Sequence, residues 1–431
     1  MQAAVRDRSI ERVLAFEALD SRGTPAVACV IALAGGAQAC ATVPAGASTG
    51  GHEAVERRDG GERYGGRGVR EAVDAVNGEI AALLRGRDCA DQAVIDAALR
   101  DRDGTPSLAR LGANAVLAAS VACALAAAEA ARIPLWKLLA PGAAPLLPLP
   151  MVNVLSGGAH AGRAIDLQDV LVIPLAARTF AEAIEHAALV RAGAAAELQA
   201  RGHDTSLVAD EGGLAAALAA NEEALEIATR GIERAGIDAA LALDVAATQL
   251  GGAGGYRLAR EGRSLDGAAL AQEIAGWARR YPLVSIEDPL GEDDWDSWRL
   301  ATDLLGDSVQ LLGDDLFATS PERLAHGIAA GVANAVLVKP NQAGTLTGAR
   351  ETLELAQREG YATVVSARSG DTEDAWLADL AVGWRSGQIK VGSTQRSERT
   401  SKWNRLLRIE AECPAAELAP WSVARPRSST V

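Results

Sequence analysis

The sequence predicts an α/β protein in which a (β/α)8 barrel follows a smaller N-terminal α+β domain. Two features of the C-terminal half predict the barrel: short apolar runs alternate with helix-like stretches, and each run ends in a charged residue. In such a barrel, parallel strands deliver polar side chains to one active-site face at their carboxyl ends. The charged residues that end these runs are Asp244, Glu287, Asp314, Lys339, Arg368 and Lys390.

The N-terminal α+β domain is predicted over residues 1–139. Residues 13–43 alternate in polarity and break at Gly23, Gly35 and Gly36, which is typical of a small antiparallel sheet. From residue 69 to residue 139 the apolar spacing is helical, with polar breaks at 85–91 and 101–107.

A proline-rich linker, residues 140–150, is predicted to separate this domain from the barrel and its C-terminal tail, residues 151–431. Four prolines in so short a stretch disfavour both a helix and a central strand. The barrel helices are predicted at residues 179–200, 219–235, 266–281, 320–331, 344–360 and 373–386.

Composition excludes several classes of function. The chain has 431 residues and a net charge of −14, which argues against a general nucleic-acid-binding or anionic-membrane surface. Five scattered cysteines without a CxxC pair indicate neither a disulfide framework nor a zinc site. The N-terminus lacks an apolar signal core, and the apolar stretch at 116–128 is too short to cross a membrane. We therefore expect a cytoplasmic protein with this stretch as a core helix.

The chain resembles the enolase family over nearly its whole length. Each matching segment is a weak signal alone, but so many segments in one order are specific. They are LDSRGTP (19–25), PAGASTGGHEA (44–54), LGANAVLAAS (111–120), PMVNVLSGGAHAG (150–162), DLQD (166–169), VADEGG (208–213), ALDVAA (242–247), SIEDP (285–289), GDDL (313–316), VKPNQAGTL (338–346), SARSGDTED (366–374) and GQIKVG (387–392). The resemblance implies an enolase-type barrel and an N-terminal capping domain.

The resemblance also implies a reaction. Enolases remove a proton from the carbon next to the carboxylate of 2-phosphoglycerate and expel water, which yields phosphoenolpyruvate. The enolase superfamily stabilises the resulting dianion with one or two Mg²⁺ ions and uses a Lys or His base. We expect two Mg²⁺ sites, a small phosphorylated or phosphonylated acid as substrate, and a homodimer or higher homo-oligomer.

Four residues match the metal ligands of the family. Asp244, Glu287 and Asp314 match the ligands of the first Mg²⁺, and carboxylate oxygens suit this hard cation. Ser48, in a loop of small residues, matches a ligand of the second ion. For one isolated acid, helix capping or pairing with an arginine would be the better interpretation. Three acids on successive predicted strands favour the metal.

The catalytic group implied by the resemblance is Lys339, Glu211, Asp169 and His160. Lys339 matches the general base, and nearby cations are expected to lower its pKa. Glu211 matches the acid that protonates the departing hydroxyl, supported by the carboxylate of Asp169. Without the motifs, Lys339 could be a lysine that reaches solvent from a strand end, and His160 could be a structural histidine.

The expected substrate contacts are Gln168, Arg368, Ser369, Lys390 and the pocket residue Ala367, with His160 beside them. Arg368 and Ser369 would bind the phosphoryl group, and Lys390 the carboxylate side.

Three positions depart from the family pattern. Ala367 stands in place of a histidine, Asp169 is one methylene shorter than the usual glutamate, and Ala28 stands where a glutamate often makes the dimer contact. Ala367 would leave room beside the phosphoryl group. This suggests a specialised dehydratase for a bulkier phosphonate analogue, similar to the carboxyphosphonoenolpyruvate synthases of phosphinate biosynthesis. The alternatives are a housekeeping enolase of glycolysis and a catalytically inactive binding protein.

Overall fold

The N-terminal domain contains a three-stranded antiparallel sheet: β1 (Ile10–Leu19), β2 (Pro25–Leu33) and β3 (Gln38–Val43). The structure is a computed structural model that describes residues 7–46, 50–252 and 255–421. Gly23 and Gly36 adopt positive φ angles of 69° and 84° in the two connecting turns, a conformation that glycine adopts without steric cost. The predicted sheet is confirmed and begins three residues before the expected start.

Helices cover one face of this sheet. The helix Ala113–Ala131 contacts β2 and β3, and its alanines allow close approach to the strands. This helix is long and apolar enough to cross a membrane by length and composition, but 89% of its most apolar window is buried inside the protein. It is the predicted core helix. The helices of the domain are Arg70–Ala75, Val76–Ile80, Ala81–Leu84, Gln92–Asp103, Ala113–Ala131 and Leu135–Leu139, with a short turn at Arg63–Gly66.

An eight-stranded closed barrel forms the rest of the protein. Its strands are β4 (Leu149–Ser156), β5 (Asp169–Ile173), β6 (Ala240–Asp244), β7 (Leu283–Glu287), β8 (Gln310–Gly313), β9 (Ala335–Val338), β10 (Ala362–Ser366) and β11 (Gly387–Gly392). β5 is antiparallel to both β4 and β6, the other neighbours are parallel, and β11 pairs with β4 to close the barrel.

Helices surround the barrel, and short strands flank it. The helices are Phe180–Ala200, Glu222–Ala235, Gly267–Arg280, Trp295–Leu305, Pro321–Ala330, Pro340–Ala343, Leu346–Arg358, Trp376–Gly383 and Ser397–Glu412, with short turns at Gly158–Ala161 and Ala247–Leu250. The short strands are Leu146–Leu147, Leu214–Ala215, Gly251–Gly252, Gly255–Leu258, Arg263–Leu265 and Glu417–Leu418.

Most barrel helices lie where the sequence predicts them, but the four-residue helix Pro340–Ala343 and two longer ones were missed. Trp295–Leu305 has a short amphipathic pattern, and Ser397–Glu412 carries many charged residues that hide its helical face. The linker prediction was wrong at its C-terminal end, because β4 begins at Leu149 and pairs Pro150 with Ile389 of β11. Proline lacks a backbone N–H group, but near the start of a strand this costs few of the hydrogen bonds between strands.

The barrel interior is apolar below the carboxyl ends of its strands. Leu149, Met151, Leu171, Ile173, Ala240, Ala242, Leu312 and Leu337 fill it. Asp169 begins the antiparallel strand β5 and lies opposite Asp244, the last residue of β6. The start of β5 and the ends of the parallel strands therefore share one edge, which is where the polar side chains gather.

Candidate active site

A pocket with about 360 Å³ of empty space, including its open mouth, lies at the carboxyl ends of the strands. Its lining contains eight of the predicted site residues together with Gly46, Ser366 and Val391. The eight are His160, Gln168, Glu211, Lys339, Ala367, Arg368, Ser369 and Lys390. The barrel thus brings together residues that are up to 230 positions apart in the sequence.

Two of the predicted metal ligands converge on one cationic atom. Lys390 Nζ lies 2.6 Å from Asp244 Oδ2 and 2.7 Å from Glu287 Oε2. Burial and the neighbouring Asp244 raise the pKa of Glu287 well above its usual value, although Lys390 opposes this. Burial alone would lower the pKa of Lys390, but the two carboxylates outweigh it and raise the pKa. The pair of acids is therefore arranged to hold a cation.

The third predicted ligand, Asp314, faces the predicted base. Lys339 Nζ lies 2.5 Å from Asp314 Oδ2, and Gln342 Nε2 donates to Asp314 Oδ1 at 2.9 Å. Burial would raise the pKa of Asp314, but Lys339 outweighs it and the net shift is downward. Burial would lower the pKa of Lys339, but Asp314 raises it overall. The expected lowering of the Lys339 pKa depends on bound cations beside it, and it stays a prediction; among the protein groups alone, the Asp314 carboxylate raises this pKa.

The chemistry of these side chains fits Mg²⁺. Asp244, Glu287 and Asp314 are all buried acids with oxygen donors, which a hard divalent cation prefers. Burial first and Asp244 second raise the pKa of Glu287, so a cation held at this edge of the barrel would favour the charged form of this carboxylate. The fourth predicted ligand, Ser48, lies outside the residues that the structure describes.

Asp288 was not predicted as a site residue, although it supports Asp314. Its two carboxylate oxygens accept hydrogen bonds from the backbone N–H groups of Asp314 (3.0 Å) and Asp315 (2.7 Å). Asp288 itself has a positive φ of 40° and is 2% exposed. A buried carboxylate that accepts two backbone N–H groups fixes the orientation of the segment that carries Asp314. The acid immediately after Glu287 was the only sequence signal for this role.

His160 and Asp169 form a buried pair beside the pocket. His160 Nδ1 lies 2.8 Å from Asp169 Oδ2, while Asp169 Oδ1 accepts hydrogen bonds from Asn153 Nδ2 (2.5 Å) and Ser156 Oγ (2.7 Å). Burial would lower the pKa of His160, but Asp169 and then Glu211 raise it to about 9. Asp169 was expected to support Glu211. In the structure its hydrogen-bonding partners are His160, Asn153 and Ser156, and one of its carboxylate oxygens lies within 4.8 Å of one from Glu211.

Glu211 lies in a glycine-containing turn that is hydrogen-bonded to the segment after the last barrel strand, β11. Its carbonyl accepts a hydrogen bond from Ser393 N at 2.8 Å, and the next residue, Gly212, has a φ of 82°. A Cβ atom at position 212 would lie 2.6 Å from the Gln395 carbonyl, so the turn requires glycine. Buried Arg191 donates to the Gly212 carbonyl at 3.0 Å. This arrangement leaves the Glu211 side chain in the pocket lining.

The predicted phosphoryl contact, Arg368, is paired with an acid from the N-terminal domain. Arg368 Nη1 donates to Glu53 Oε2 at 2.6 Å, and Glu53 Oε1 accepts from Gly50 N at 3.0 Å. Glu53 lies in the matched segment 44–54, but no role was predicted for it. Ala367 precedes Arg368 and is 8% exposed in the pocket lining.

Gln168 connects the substrate side of the pocket with the acids. Its Nε2 donates to Asp244 Oδ2 at 3.1 Å, and its Oε1 accepts from Gln249 Nε2 at 2.9 Å. These two contacts fix the orientation of the amide. Gln249 was not predicted, because the short turn that carries it has no distinctive sequence pattern.

The barrel and the site define a lyase of the enolase type, with acids and a lysine at the carboxyl ends of the strands. Residues 144–423 match the family described as "Enolase, C-terminal TIM barrel domain", and residues 10–139 match "Enolase, N-terminal domain". The chain is similar to a protein named "Enolase" from Sulfurimonas denitrificans, with 48% identity over 407 residues, which cover 94% of this chain and 96% of that protein. The chain belongs to the enolase family and is a hydro-lyase of that family.

Proposed function

We propose that this protein dehydrates 2-phosphoglycerate to phosphoenolpyruvate with Mg²⁺. The observation that carries the proposal is that Lys339 and Glu211 line one pocket together with Arg368 and Ser369. A base, an acid and two groups suited to a phosphoryl oxygen are thus within reach of one small molecule. The 48% identity with a protein named enolase supports the ordinary family substrate over the phosphonate analogue.

The proposed chemistry assigns one proton transfer to each side of the pocket. Lys339 Nζ accepts the proton from the carbon next to the substrate carboxylate in its neutral form, which the positive charge of bound Mg²⁺ would favour, and Glu211 donates a proton to the departing hydroxyl. Lys390 contacts the carboxylate side, and Arg368 and Ser369 bind the phosphoryl group. Mg²⁺ held by Asp244, Glu287 and Asp314 would supply positive charge that stabilises the dianionic enolate.

His160 and Asp169 act beside the leaving group in this proposal. The imidazole carries a proton at neutral pH, because its pKa is raised to about 9 by the adjacent acids despite its burial. A cation between Asp169 and Glu211 offsets their mutual repulsion. We assign this role to His160 in place of a direct Asp169–Glu211 proton pair.

The experiment that tests this proposal follows the ultraviolet absorbance of the enol product formed from 2-phosphoglycerate in the presence of Mg²⁺. We expect turnover by the wild-type protein and its loss in Lys339→Ala. Absence of turnover in a folded wild-type protein that binds Mg²⁺ would contradict the assignment of this substrate.

A second candidate function is dehydration of a phosphonate analogue with a bulkier phosphorus group. It is supported by Ala367, whose small side chain lines the pocket immediately before Arg368. Under this proposal a phosphonate analogue turns over faster than 2-phosphoglycerate, and Ala367→His reverses the order. Full turnover of 2-phosphoglycerate that Ala367→His does not improve would exclude this candidate.

We also propose that the protein forms a homodimer in the cytoplasm. The dimer is supported by three large apolar side chains exposed on β1, namely Leu14, Phe16 and Leu19, which are 42%, 46% and 55% exposed. Ala28 lies opposite Phe16 in β2 and is fully buried, so it cannot make a dimer contact from its side chain. Light scattering coupled to gel filtration would report a monomer if this proposal is wrong.

A further inference from the structure

Behind the expected phosphoryl contacts lies a fully buried arginine that the sequence analysis did not single out. Arg399, on the helix Ser397–Glu412, has no exposed surface and is among the largest fully buried side chains of the protein. Burying a guanidinium is costly unless its N–H groups and its charge are both satisfied. The partners that satisfy Arg399 therefore indicate what it does.

The guanidinium of Arg399 donates to main-chain carbonyls of the loop after β10 and of the end of β11, the two segments that carry substrate contacts. Its Nη1 donates to the carbonyls of Arg368 (2.7 Å) and Val391 (3.0 Å), and its Nη2 donates to the carbonyl of Ser369. Arg368 and Ser369 are the expected phosphoryl contacts, and Val391 follows Lys390. One side chain thus connects the ends of β10 and β11.

The charge of Arg399 is balanced by acids that surround it at longer distances. Carboxylate oxygens of Glu398, Asp371 and Glu211 lie 3.5, 3.9 and 4.0 Å from its nitrogens. The charge is therefore compensated, while Nη1 and Nη2 reach backbone carbonyls at hydrogen-bond distance and Nε makes no hydrogen bond among the described residues. Because the acids balance the charge while the carbonyls take the hydrogen bonds, the planar guanidinium orients the backbone without pairing to a single carboxylate.

The backbone around Ser369 is held from both sides. Arg399 binds the Ser369 carbonyl, and the N–H group of the same peptide unit, that of Gly370, donates to the Ala45 carbonyl at 3.0 Å. Because a peptide unit is planar, fixing its two ends determines its orientation. Gly392 makes room for the arginine, since a Cβ atom there would lie 2.8 Å from Arg399 Cδ.

Two other residues on the same face of the helix support this segment. Lys402 Nζ donates to the Thr372 carbonyl at 2.5 Å, and Trp403 Nε1 donates to the Ser393 carbonyl at 3.0 Å. Positions 399, 402 and 403 have the spacing that places side chains on one helix face. Side-chain N–H groups on one face of the helix therefore hold the loops after β10 and β11 through several of their backbone carbonyls.

We propose that Arg399 is a positioning residue that holds Arg368 and Ser369 in the geometry for binding the phosphoryl group of the substrate. This inference rests on the proposed function for the identity of the substrate, but anion binding at these residues is measurable separately. Arg399 does not line the pocket, so it acts through the backbone of the residues that do.

The test compares Arg399→Lys with a matched control on the same helix. Arg405 also forms a part-buried bidentate pair, with Asp379 at 2.7 Å from both nitrogens, but outside the pocket. Arg405→Gln should lower the melting temperature and change binding by no more than about twofold. Arg399→Lys keeps the positive charge but loses the planar set of guanidinium N–H donors. KM for 2-phosphoglycerate and Kd for inorganic phosphate should therefore each rise about tenfold or more.

Both measurements use the full chain with Mg²⁺, with phosphate binding measured by calorimetry and the fold checked by circular dichroism. Arg399→Gln serves as the second variant and should weaken phosphate binding more than Arg399→Lys. Phosphate affinity that Arg399→Lys and Arg399→Gln leave within about twofold of Arg405→Gln would overturn the proposal. If the wild type does not turn over 2-phosphoglycerate, the substrate assignment fails while the phosphate comparison still decides the role of Arg399.

Discussion

Arg368 and Glu53, 315 positions apart in the sequence, form a hydrogen-bonded ion pair of 2.6 Å between the barrel and the N-terminal domain. Both side chains are buried, at 3% and 7% exposure. Burial would lower the pKa of Arg368, but Glu53 outweighs this effect and raises it. The N-terminal domain therefore contributes directly to the orientation of the expected phosphoryl contact.

Replacing Glu53 by Gln should impair substrate binding. The variant removes the charge that orients Arg368, and a charged hydrogen bond of this kind is worth about 1.5–3 kcal/mol, so kcat/KM should fall about 10- to 100-fold. The measurement is steady-state kinetics with 2-phosphoglycerate. Glu71→Gln is the control, because Glu71 pairs with Arg57 at 2.9 Å outside the pocket lining. Equal kinetics in the two variants would contradict the role of Glu53.

Replacing Lys339 by Ala should abolish the general-base step. General-base catalysis contributes about 10²–10⁴-fold, so kcat should fall by at least that range while the fold persists. Lys137→Ala provides the control, since Lys137 is exposed on the short helix Leu135–Leu139. Kinetics and circular dichroism are recorded on the same samples. A Lys339→Ala protein that retains a tenth of wild-type kcat would show that another group removes the proton.

Stability should depend on pH through His160. Its pKa is raised from 6.5 to about 9, mainly by Asp169 against the opposing effect of burial. Because the folded pKa lies above the unfolded value, the stabilisation is complete below pH 6.5 and is lost as the pH rises through about 9.

The wild-type free energy of unfolding should therefore decrease over this range by up to about 3 kcal/mol. Urea unfolding near both ends of the range measures the decrease. His160→Gln should flatten it, whereas His326→Gln, which changes an exposed histidine, should not. A slope that His160→Gln leaves unchanged would assign the effect to another group.

Magnesium should stabilise the folded protein through the three buried acids. An ion that binds only the native state at about 100 times its Kd adds about 2.7 kcal/mol, so the melting temperature should rise on adding Mg²⁺ and fall with a chelator. Glu287→Gln should remove this response. The exposed Asp296 supplies the control variant Asp296→Asn. An Mg²⁺-induced rise that survives Glu287→Gln would place the ion elsewhere.

Most of the fold and of the pocket lining could be predicted from the sequence. Parallel barrel strands converge at their carboxyl ends, so acids and lysines that end buried runs must meet there. In the structure, three of these residues meet there, since Lys390 Nζ lies 2.6 Å from Asp244 and 2.7 Å from Glu287. The antiparallel strand β5 joins the same edge because Asp169 is its first residue.

The sequence by itself determined the barrel and the charged residues at its strand ends, through local hydrophobic periodicity, and its resemblance to the enolase family added His160, Gln168, Glu211 and Ser369. Only the tertiary structure decided the partners of these residues. Glu53 and Arg399 reach the site from a different domain and from a highly charged helix, and Asp169 pairs with His160, which lies on the turn after β4. Such contacts depend on how distant elements dock and how far each side chain reaches, and no local pattern encodes either quantity.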